Sequence, residues 1–288
     1  MKILYIKNGM HFKNHNSMLS YKNITLYIIE NIDVLNKLDL SEFDCVYSPS
    51  IPIDVNKHPK TKFIFGPHMS VFPEKKQMDM IRGNNVTYVQ PSKWAANVWK
   101  NSDLCKNISV KPLPFGVDTN KFNNDTPISE RSQVFIYFKS RHPILLNIVE
   151  MFLKSKGVNY KIFNYKTKYD ENTYIEYLKK SKYGIWIGRH ESQGFALEEA
   201  LSMNVPLLVW DVKSMNEEYG YNYADIPATV IPYWDDRCGE FFYNINDFHN
   251  VFDLFISRLE TYKPREYILE NLSMDKCEQF LIDIIQNN

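Results

Sequence analysis

The feature that most restricts the fold is an alternation, kept up from one end of the chain to the other, of short apolar runs with longer amphipathic stretches. Apolar runs too short for helices read as buried strands, and the stretches between them carry apolar residues at helical spacing. Repetition of that pair describes βαβ units feeding a parallel sheet. The reading is therefore α/β throughout. In the first half the expected strands are residues 2–7, 45–48, 62–65, 86–90 and 109–112, several of them ending in Gly, Pro or Ser, where the chain turns into a loop at the carboxyl end of a sheet. The second half restarts with a strand at 133–138, a helix at 144–155, a strand at 159–163, a helix at 171–181 and a strand at 183–188. Strands at 206–210 and 228–231 follow, and helical patterning returns at Cys277, Phe280, Leu281, Ile284 and Ile285.

At 288 residues the chain fits two domains of ordinary size, each able to bury a core. Lysine plus arginine equals aspartate plus glutamate at 34 each, so charge offers no case for a nucleic-acid or polyanion partner. Cys45, Cys105, Cys238 and Cys277 are scattered with no C-x-x-C pair, which argues against a zinc site or a disulfide framework and for a reducing compartment. The opening Met1-Lys2-Ile3-Leu4-Tyr5-Ile6-Lys7 is too brief for a signal peptide, and no apolar run approaches the roughly 18 to 20 residues of a membrane span. A cytoplasmic protein is expected. Residues 91–99 read as a turn, a Ser92 N-cap and a helix in which Trp94 and Trp99 face the core, with a membrane-facing helix, and so peripheral membrane contact, as the alternative.

The most informative local segment runs from His190-Glu191-Ser192-Gln193-Gly194-Phe195-Ala196 through Leu197-Glu198-Glu199-Ala200-Leu201 into Asn204-Val205-Pro206-Leu207-Leu208-Val209-Trp210-Asp211. One carboxylate stands in a loop, a glycine stands where a helix should begin, a second carboxylate lies in that helix, and an apolar strand follows. N–H groups at a helix start attract phosphate oxygens, and Gly194 lets the backbone come close. Ionised acids on either side can accept hydrogen bonds from sugar hydroxyls. Glu198 is expected on the surface, facing elsewhere than Glu199.

Glu191 and Glu199, eight positions apart, resemble the paired-acid signature of the retaining glycosyltransferases of family four, which have the GT-B fold. The Gly194-Phe195 step, the helix and the run Asn204-Val205-Pro206-Leu207-Leu208-Val209 are similar to that family too, as is Gly116-Val117-Asp118 with Phe122. The resemblance implies two Rossmann-like domains facing across a cleft. With the polar stretch 123–131 read as a linker, the boundary is placed near residue 127: 1–127 for the acceptor-side domain and 128–288 for the nucleotide-sugar domain, the last helix crossing back to the first. It further implies that Glu199 hydrogen-bonds the donor's ribose, that Glu191 contacts the transferred hexose, and that Ser192, Gln193, Gly194, Phe195 and Ala196 line the diphosphate. Lys139 and Arg141, after the first strand of the second domain, are the expected stabilisers of the leaving group. The family pattern has Arg followed by Lys five positions on, whereas Leu146 stands at that distance from Arg141, so which of the two cations does the work stays open. His68, in Phe65-Gly66-Pro67-His68, matches a histidine near the reacting sugar, and Gly9 after the first strand would let backbone amides approach donor or acceptor.

The implied reaction moves a hexosyl group from a UDP- or GDP-linked sugar to a hydroxyl of a glycan or small-molecule acceptor, with retention and without a cofactor. Residues 163–166 would read the base. No Gly-x-Gly-x-x-Gly follows the first strand, no Walker lysine motif is present, and Asp235-Asp236 is not an Asp-x-Asp, so nicotinamide, P-loop and metal-bridged GT-A chemistry lack their usual supports. No metal site is expected; His11 and His15 lack a third ligand beside them. Two competing readings remain: a GT-B protein that binds nucleotide or glycan without turnover, and an epimerase acting on the nucleotide sugar. Assays for transfer and for acceptor-free product separate them. Oligomeric state is not set by the sequence.

Overall fold

A computed structural model describes residues 1–287. The chain forms two compact units, Met1–Gly116 together with Leu272–Asn288, and Val117–Asn271. Residues 123–131 lie inside the second unit. Among the described residues no helix is long and apolar enough to cross a membrane.

The first unit contains β1 (Lys2–Ile6), α1 (Phe12–Leu19), β2 (Thr25–Ile29), β3 (Cys45–Ser48), β4 (Phe63–Phe65), α2 (Lys75–Ile81), β5 (Val86–Gln90), α3 (Lys93–Lys100) and β6 (Ser109–Pro112). The strands form one sheet in the order β2-β1-β3-β4-β5-β6, parallel throughout. β3, β4 and β5 are buried along their whole length, so they read as mainly apolar runs without alternation, and Thr87 and Gln90 of β5 are buried with the rest. β2, absent from the sequence reading, is an edge strand with Tyr27 and Ile28 exposed. Its apolar run passes into the 3₁₀ turn Ile32–Lys37 with little punctuation, so periodicity alone does not separate strand from helix there. Trp99 belongs to the core: it is 1% exposed, stacks on Tyr88 at 3.8 Å between ring centres and donates its indole N–H to the Val71 carbonyl at 3.2 Å. Ser92 occupies the N-cap position of α3, yet its hydroxyl makes no capping bond and is buried without a partner.

The second unit contains β7 (Gln133–Phe138), α4 (Pro143–Ser155), β8 (Lys161–Asn164), α5 (Glu171–Lys180), β9 (Ser181–Ile187), α6 (Phe195–Ser202), β10 (Leu207–Trp210), β11 (Gly239–Phe242), α7 (Phe248–Ser257) and α8 (Pro264–Asn271). Its sheet is also wholly parallel, in the order β11-β10-β9-β7-β8. Residues 228–231 do not form the expected strand. Asp211, at the end of β10, accepts the Val230 N–H at 2.7 Å and the Thr229 hydroxyl at 2.9 Å, so a side chain takes the place of a ladder partner and the segment stays a loop. The fifth strand is β11. It starts at Gly239 with φ +136°, where a Cβ would stand 2.0 Å from the Leu207 carbonyl oxygen, so only glycine lets it lie against β10.

The last helix, α9 (Met274–Gln286), belongs to the first unit. Lys62 donates to the Ile285 carbonyl at 3.0 Å and Asn23 donates to Glu278 through both its backbone and side-chain nitrogens. A Cβ on Gly116 would meet Met274 Sδ at 2.6 Å and its Cα at 2.7 Å, so this glycine lets the start of α9 approach.

Both sheets have the doubly wound order in which the first strand sits inside the sheet, with its successor on one side and the next strand on the other. In open α/β sheets ligands usually lie outside the carboxyl ends of the strands at such a reversal. In the second unit the reversal lies between β7 and β9.

Candidate functional site

The loops that leave β7 and β9 are stitched together at the reversal point. The Lys139 N–H donates to the Ile187 carbonyl at 3.0 Å and the Arg189 N–H to the Lys139 carbonyl at 2.9 Å. This brings Lys139 Nζ to 2.6 Å from Glu191 Oε1, an ion pair whose side chains are 10% and 13% exposed. The Tyr165 ring, in the loop after β8, lies 4.3 Å from the same ammonium, close enough for a cation–π contact. Glu191 is held by its backbone as well: its N–H donates to the Thr229 carbonyl at 2.9 Å, in the loop that Asp211 organises.

Three residues after Glu191, Gly194 caps α6 with φ +95° and ψ +36°. A Cβ there would meet nothing nearer than Glu191 Cβ at 3.6 Å, so the backbone sign and not crowding demands glycine. The Gly194 carbonyl accepts the N–H groups of Leu197 and Glu198 at 2.9 and 3.0 Å. The positive end of the helix dipole lies at this turn and favours an anion there. α6 is seated firmly: Leu197, Glu198, Glu199, Ala200, Leu201 and Ser202 are all buried, and Arg265 of α8 donates to the carbonyls of Ser202, Phe122 and Thr119 at 2.7, 2.9 and 3.1 Å.

The remaining segment residues divide by where they point. Ser192 is exposed, Phe195 and Ala196 are half-buried, and the Ala196 carbonyl accepts the Tyr174 hydroxyl at 2.9 Å. Gln193 is buried and spends its amide on Glu198, at 2.9 and 3.0 Å from the two carboxylate oxygens. Glu198 is therefore not the surface acid expected: it is 1% exposed, because α6 is covered on nearly every side and the Gln193 amide supplies the hydrogen bonds a buried carboxylate needs. Glu199, 3% exposed, faces a different neighbourhood. Tyr169 is pushed up to about 12, first by burial, and the Glu199 carboxylate adds to that. Lys121 is held above its usual range, first by its bond to Glu171, with Glu199 contributing.

Arg141 is buried and directed to strand ends: its guanidinium donates to the carbonyls of Gly188 and Trp210 at 3.1 and 3.3 Å and meets Glu217 Oε2 at 3.3 Å. Arg189 and His190 share Glu218, with Arg189 Nε 3.3 Å from Oε1 and His190 Nε2 3.6 Å from Oε2. Burial, then the cations Arg189 and Lys139, lower the His190 imidazole to about 4, so it is neutral at physiological pH. Burial likewise raises the Glu218 carboxyl, against the lowering influence of Arg189. Glu218 and Asp211 were not singled out by the sequence reading. Glu218 has no local signal, being 27 residues from Glu191; Asp211 had one, as the charged residue directly after a fully apolar strand.

His68 and Gly9 lie in the first unit. His68 follows β4, its Nε2 3.2 Å from the Asn14 side-chain amide and within 3.5 Å of the His11 N–H, and its N–H donates to the Pro49 carbonyl at 2.9 Å. Burial, with His11 adding, lowers its imidazole to about 4. The preceding Gly66 has φ +95° and passes so close to the Val89 carbonyl that a Cβ would stand 2.3 Å from it. Gly9 has φ +63° and lies against Ser50, whose hydroxyl donates to the Asn8 carbonyl. His15 stacks on Tyr5, with Nδ1 3.2 Å from the phenol. Among the described residues no group of three His, Cys, Asp or Glu is placed to hold a metal ion.

No protein-family model matches the sequence, and no curated protein matches it either. Solved structures do. TarM superposes with a TM-score of 0.51 at 13% identity over 79% of this chain, which spans about half (51%) of the TarM chain. Sucrose-phosphate synthase from Thermosynechococcus elongatus gives 0.50 at 8% identity over 85% of this chain and 74% of that one. The N-terminal domain of trehalose-6-phosphate phosphatase from Candida albicans gives 0.53 at 11% identity, covering 99% and 96% of the two chains. At such identities the likeness is one of fold: α/β, with two parallel sheets of the Rossmann kind as in GT-B glycosyltransferases.

Proposed function

We propose that this protein is a glycosyltransferase that moves a hexosyl group from a nucleotide-diphosphate sugar to an acceptor hydroxyl, with retention, and that its second unit holds the donor. The observation that carries this reading is the meeting of Lys139 and Glu191 at 2.6 Å at the β7/β9 reversal, beside a helix start that needs glycine at position 194. A diphosphate placed there gains hydrogen bonds from the first-turn amides and charge neutralisation from Lys139. Glu191 is left to accept from hydroxyls of the sugar. Glu199, further along the same helix, takes the ribose, and the loop 163–166 with the Tyr165 ring takes the base, uridine or guanosine.

As the glycosidic bond breaks, negative charge builds on the departing diphosphate. A fixed ammonium in a site largely closed to water stabilises that state more than the ground state. Lys139 is the cation assigned this task, and it supplies the charge that a metal-bridged donor site takes from a divalent ion. Arg141, whose donors go to two carbonyls and Glu217, supports the same loop. The first unit takes the acceptor, where a neutral His68 can exchange hydrogen bonds with its hydroxyls and Gly9 lets backbone amides approach. Support for the reading also comes from the glycosyltransferases among the fold neighbours.

Thermal shift with UDP, GDP and ADP tests the donor site first, since a ligand at a hundredfold excess over its dissociation constant stabilises by about 2.7 kcal/mol. Transfer from radiolabelled UDP- and GDP-sugars in the presence of EDTA tests the chemistry. Nucleotide binding without transfer or donor hydrolysis would reduce the protein to a binding module. Acceptor-free conversion of the donor sugar would make it an epimerase.

A further inference from the structure

A cavity opens in the second unit on the α4 side of the strand ends, with a volume of about 580 Å³. That lies within the range of small-ligand sites, about 300–1,000 Å³. Its wall carries Tyr219, Tyr221 and Tyr243, with Glu217, Asn216 and Asn244 as polar groups. These three tyrosines are 44%, 62% and 40% exposed. Each is held by an aromatic neighbour: Tyr219 edge-on to His142 at 4.9 Å, Tyr221 stacked on Tyr223 at 5.7 Å, and Tyr243 edge-on to Phe241 at 5.7 Å.

We propose that this cavity is a saccharide-binding site, separate from the donor site, that holds part of a neutral glycan by stacking on Tyr219, Tyr221 and Tyr243. A pyranose presents a face of C–H groups to an aromatic ring and a rim of hydroxyls to planar polar side chains. The cavity supplies both. The Asn244 side chain makes no bond to the helix turn it precedes, and the Asn216 amide has only a 3.5 Å contact to Asp225. Glu217 accepts from the Lys213 N–H at 2.7 Å and from Arg141, and a carboxylate has room for further donors. Charge argues against an anionic ligand: the wall holds two carboxylates, Glu217 and Glu218, against the single guanidinium of Arg141, which is already engaged by Glu217 and two carbonyls. Lys166 and Lys213 sit over the Tyr219 and Tyr243 rings at 5.8 and 4.9 Å and do not line the cavity. A wholly apolar ligand would strand the carboxylates and amides without partners.

The inference does not depend on the donor reading and is tested without turnover. The intact protein is titrated calorimetrically with maltotetraose, cellotetraose, tetra-N-acetylchitotetraose and inorganic pyrophosphate. At least one tetrasaccharide should bind saturably. Tyr221→Ala and Tyr243→Ala should each weaken it at least tenfold, and Tyr221→Ala, at a side chain 62% exposed, should keep the thermal shift given by UDP or GDP. Glu199→Ala should keep saccharide binding. The proposal is overturned if no tetrasaccharide binds below about 10 mM, if binding survives both tyrosine substitutions, or if pyrophosphate binds and loses affinity in those variants. Concentration-dependent self-association abolished by Tyr221→Ala, with no saccharide binding, would overturn it in favour of an interface.

Discussion

Gly194→Ala separates a phosphate-binding helix start from an ordinary one. At φ +95° the backbone lies beyond the centre of the left-handed region, and an alanine there costs about 2 kcal/mol. Crowding adds little, since a Cβ would meet its nearest atom at 3.6 Å. For a unit of this size 1 kcal/mol corresponds to roughly 2–4 °C, so the substitution should lower Tm by roughly 4–8 °C. Gly157, at the end of α4, is the control: φ is +69° and nothing lies within 4 Å of a Cβ, so Gly157→Ala should cost about 1 kcal/mol, or roughly 2–4 °C. The two variants part when nucleotide is added. At a hundredfold excess over its dissociation constant the better of UDP and GDP stabilises the parent protein by about 2.7 kcal/mol, and Gly157→Ala should respond equally. Relief of strain in Gly194→Ala turns the first-turn amides of α6. A tenfold loss of affinity would cut the response at the same nucleotide concentration to about 1.4 kcal/mol, roughly half the shift. Differential scanning fluorimetry with and without nucleotide reads both quantities. If Gly194→Ala keeps the full nucleotide shift, the amides of α6 are not the phosphate site and the donor assignment fails with them.

Lys139→Met leaves Glu191 as a nearly buried carboxylate without its cation, which should cost about 2–4 kcal/mol in denaturant unfolding, the low side of the range for broken buried pairs because both side chains keep some solvent. Adding Glu191→Leu should recover part of that stability while kcat/KM stays at least a hundredfold down, since the lost charge acts on the leaving group. Glu199→Gln and Glu198→Gln should differ in what they do to binding: the first weakens nucleotide binding at least tenfold in a titration with UDP or GDP. The second leaves binding near normal and loses about 1–3 kcal/mol, because two amides then face each other where Gln193 met a carboxylate. The pH dependence follows from His190 and His68, both near 4 in the fold against about 6.5 when free. The unfolded chain takes up protons first on acidification, so the stability present in full above pH 6.5 should fall between about 6.5 and 4, and His190→Gln and His68→Gln should each flatten that slope in a Tm series.

Legibility in the sequence tracks how local the physics is. Strands buried on both faces, such as β3, β5 and β7, announce themselves as short, mainly apolar runs, and their observed bounds match the expected ones residue for residue. The stretch 228–231 has the same apolar look and forms no strand, because the deciding contact comes from Asp211, eighteen positions back from Thr229 and invisible to any window around the segment. β11, Gly-Glu-Phe-Phe, alternates less clearly and begins at a glycine whose purpose is a close approach to Leu207, so composition marks it as a turn. Glu198 shows the same limit within one helix: adjacent acids look equivalent on paper, and only the placement of Gln193 and the burial of α6 on nearly all sides tell the structural carboxylate from the one beside Tyr169 and Lys121.

The segment assigned to the donor stands out in the sequence because a phosphate site at a helix start is largely a backbone device. A glycine at a helix start, an acid three residues before it and one five residues after it are all within a single stretch, and their geometry follows from the rules of one turn and one helix. The side chains that tune the site come from elsewhere. Lys139 arrives from β7 because β7 and β9 are neighbours in the sheet, and Glu218 arrives from the loop after β10 to hold Arg189 and His190 beside Glu191. Strand order is a property of the whole sheet, so no spacing in the sequence could have announced that a lysine 52 positions before Glu191 would end 2.6 Å from it. The reversal of strand order between β7 and β9 is what turns two unremarkable loops into one site, and it is the reason the same residues on a sheet of different order would have no common chemistry.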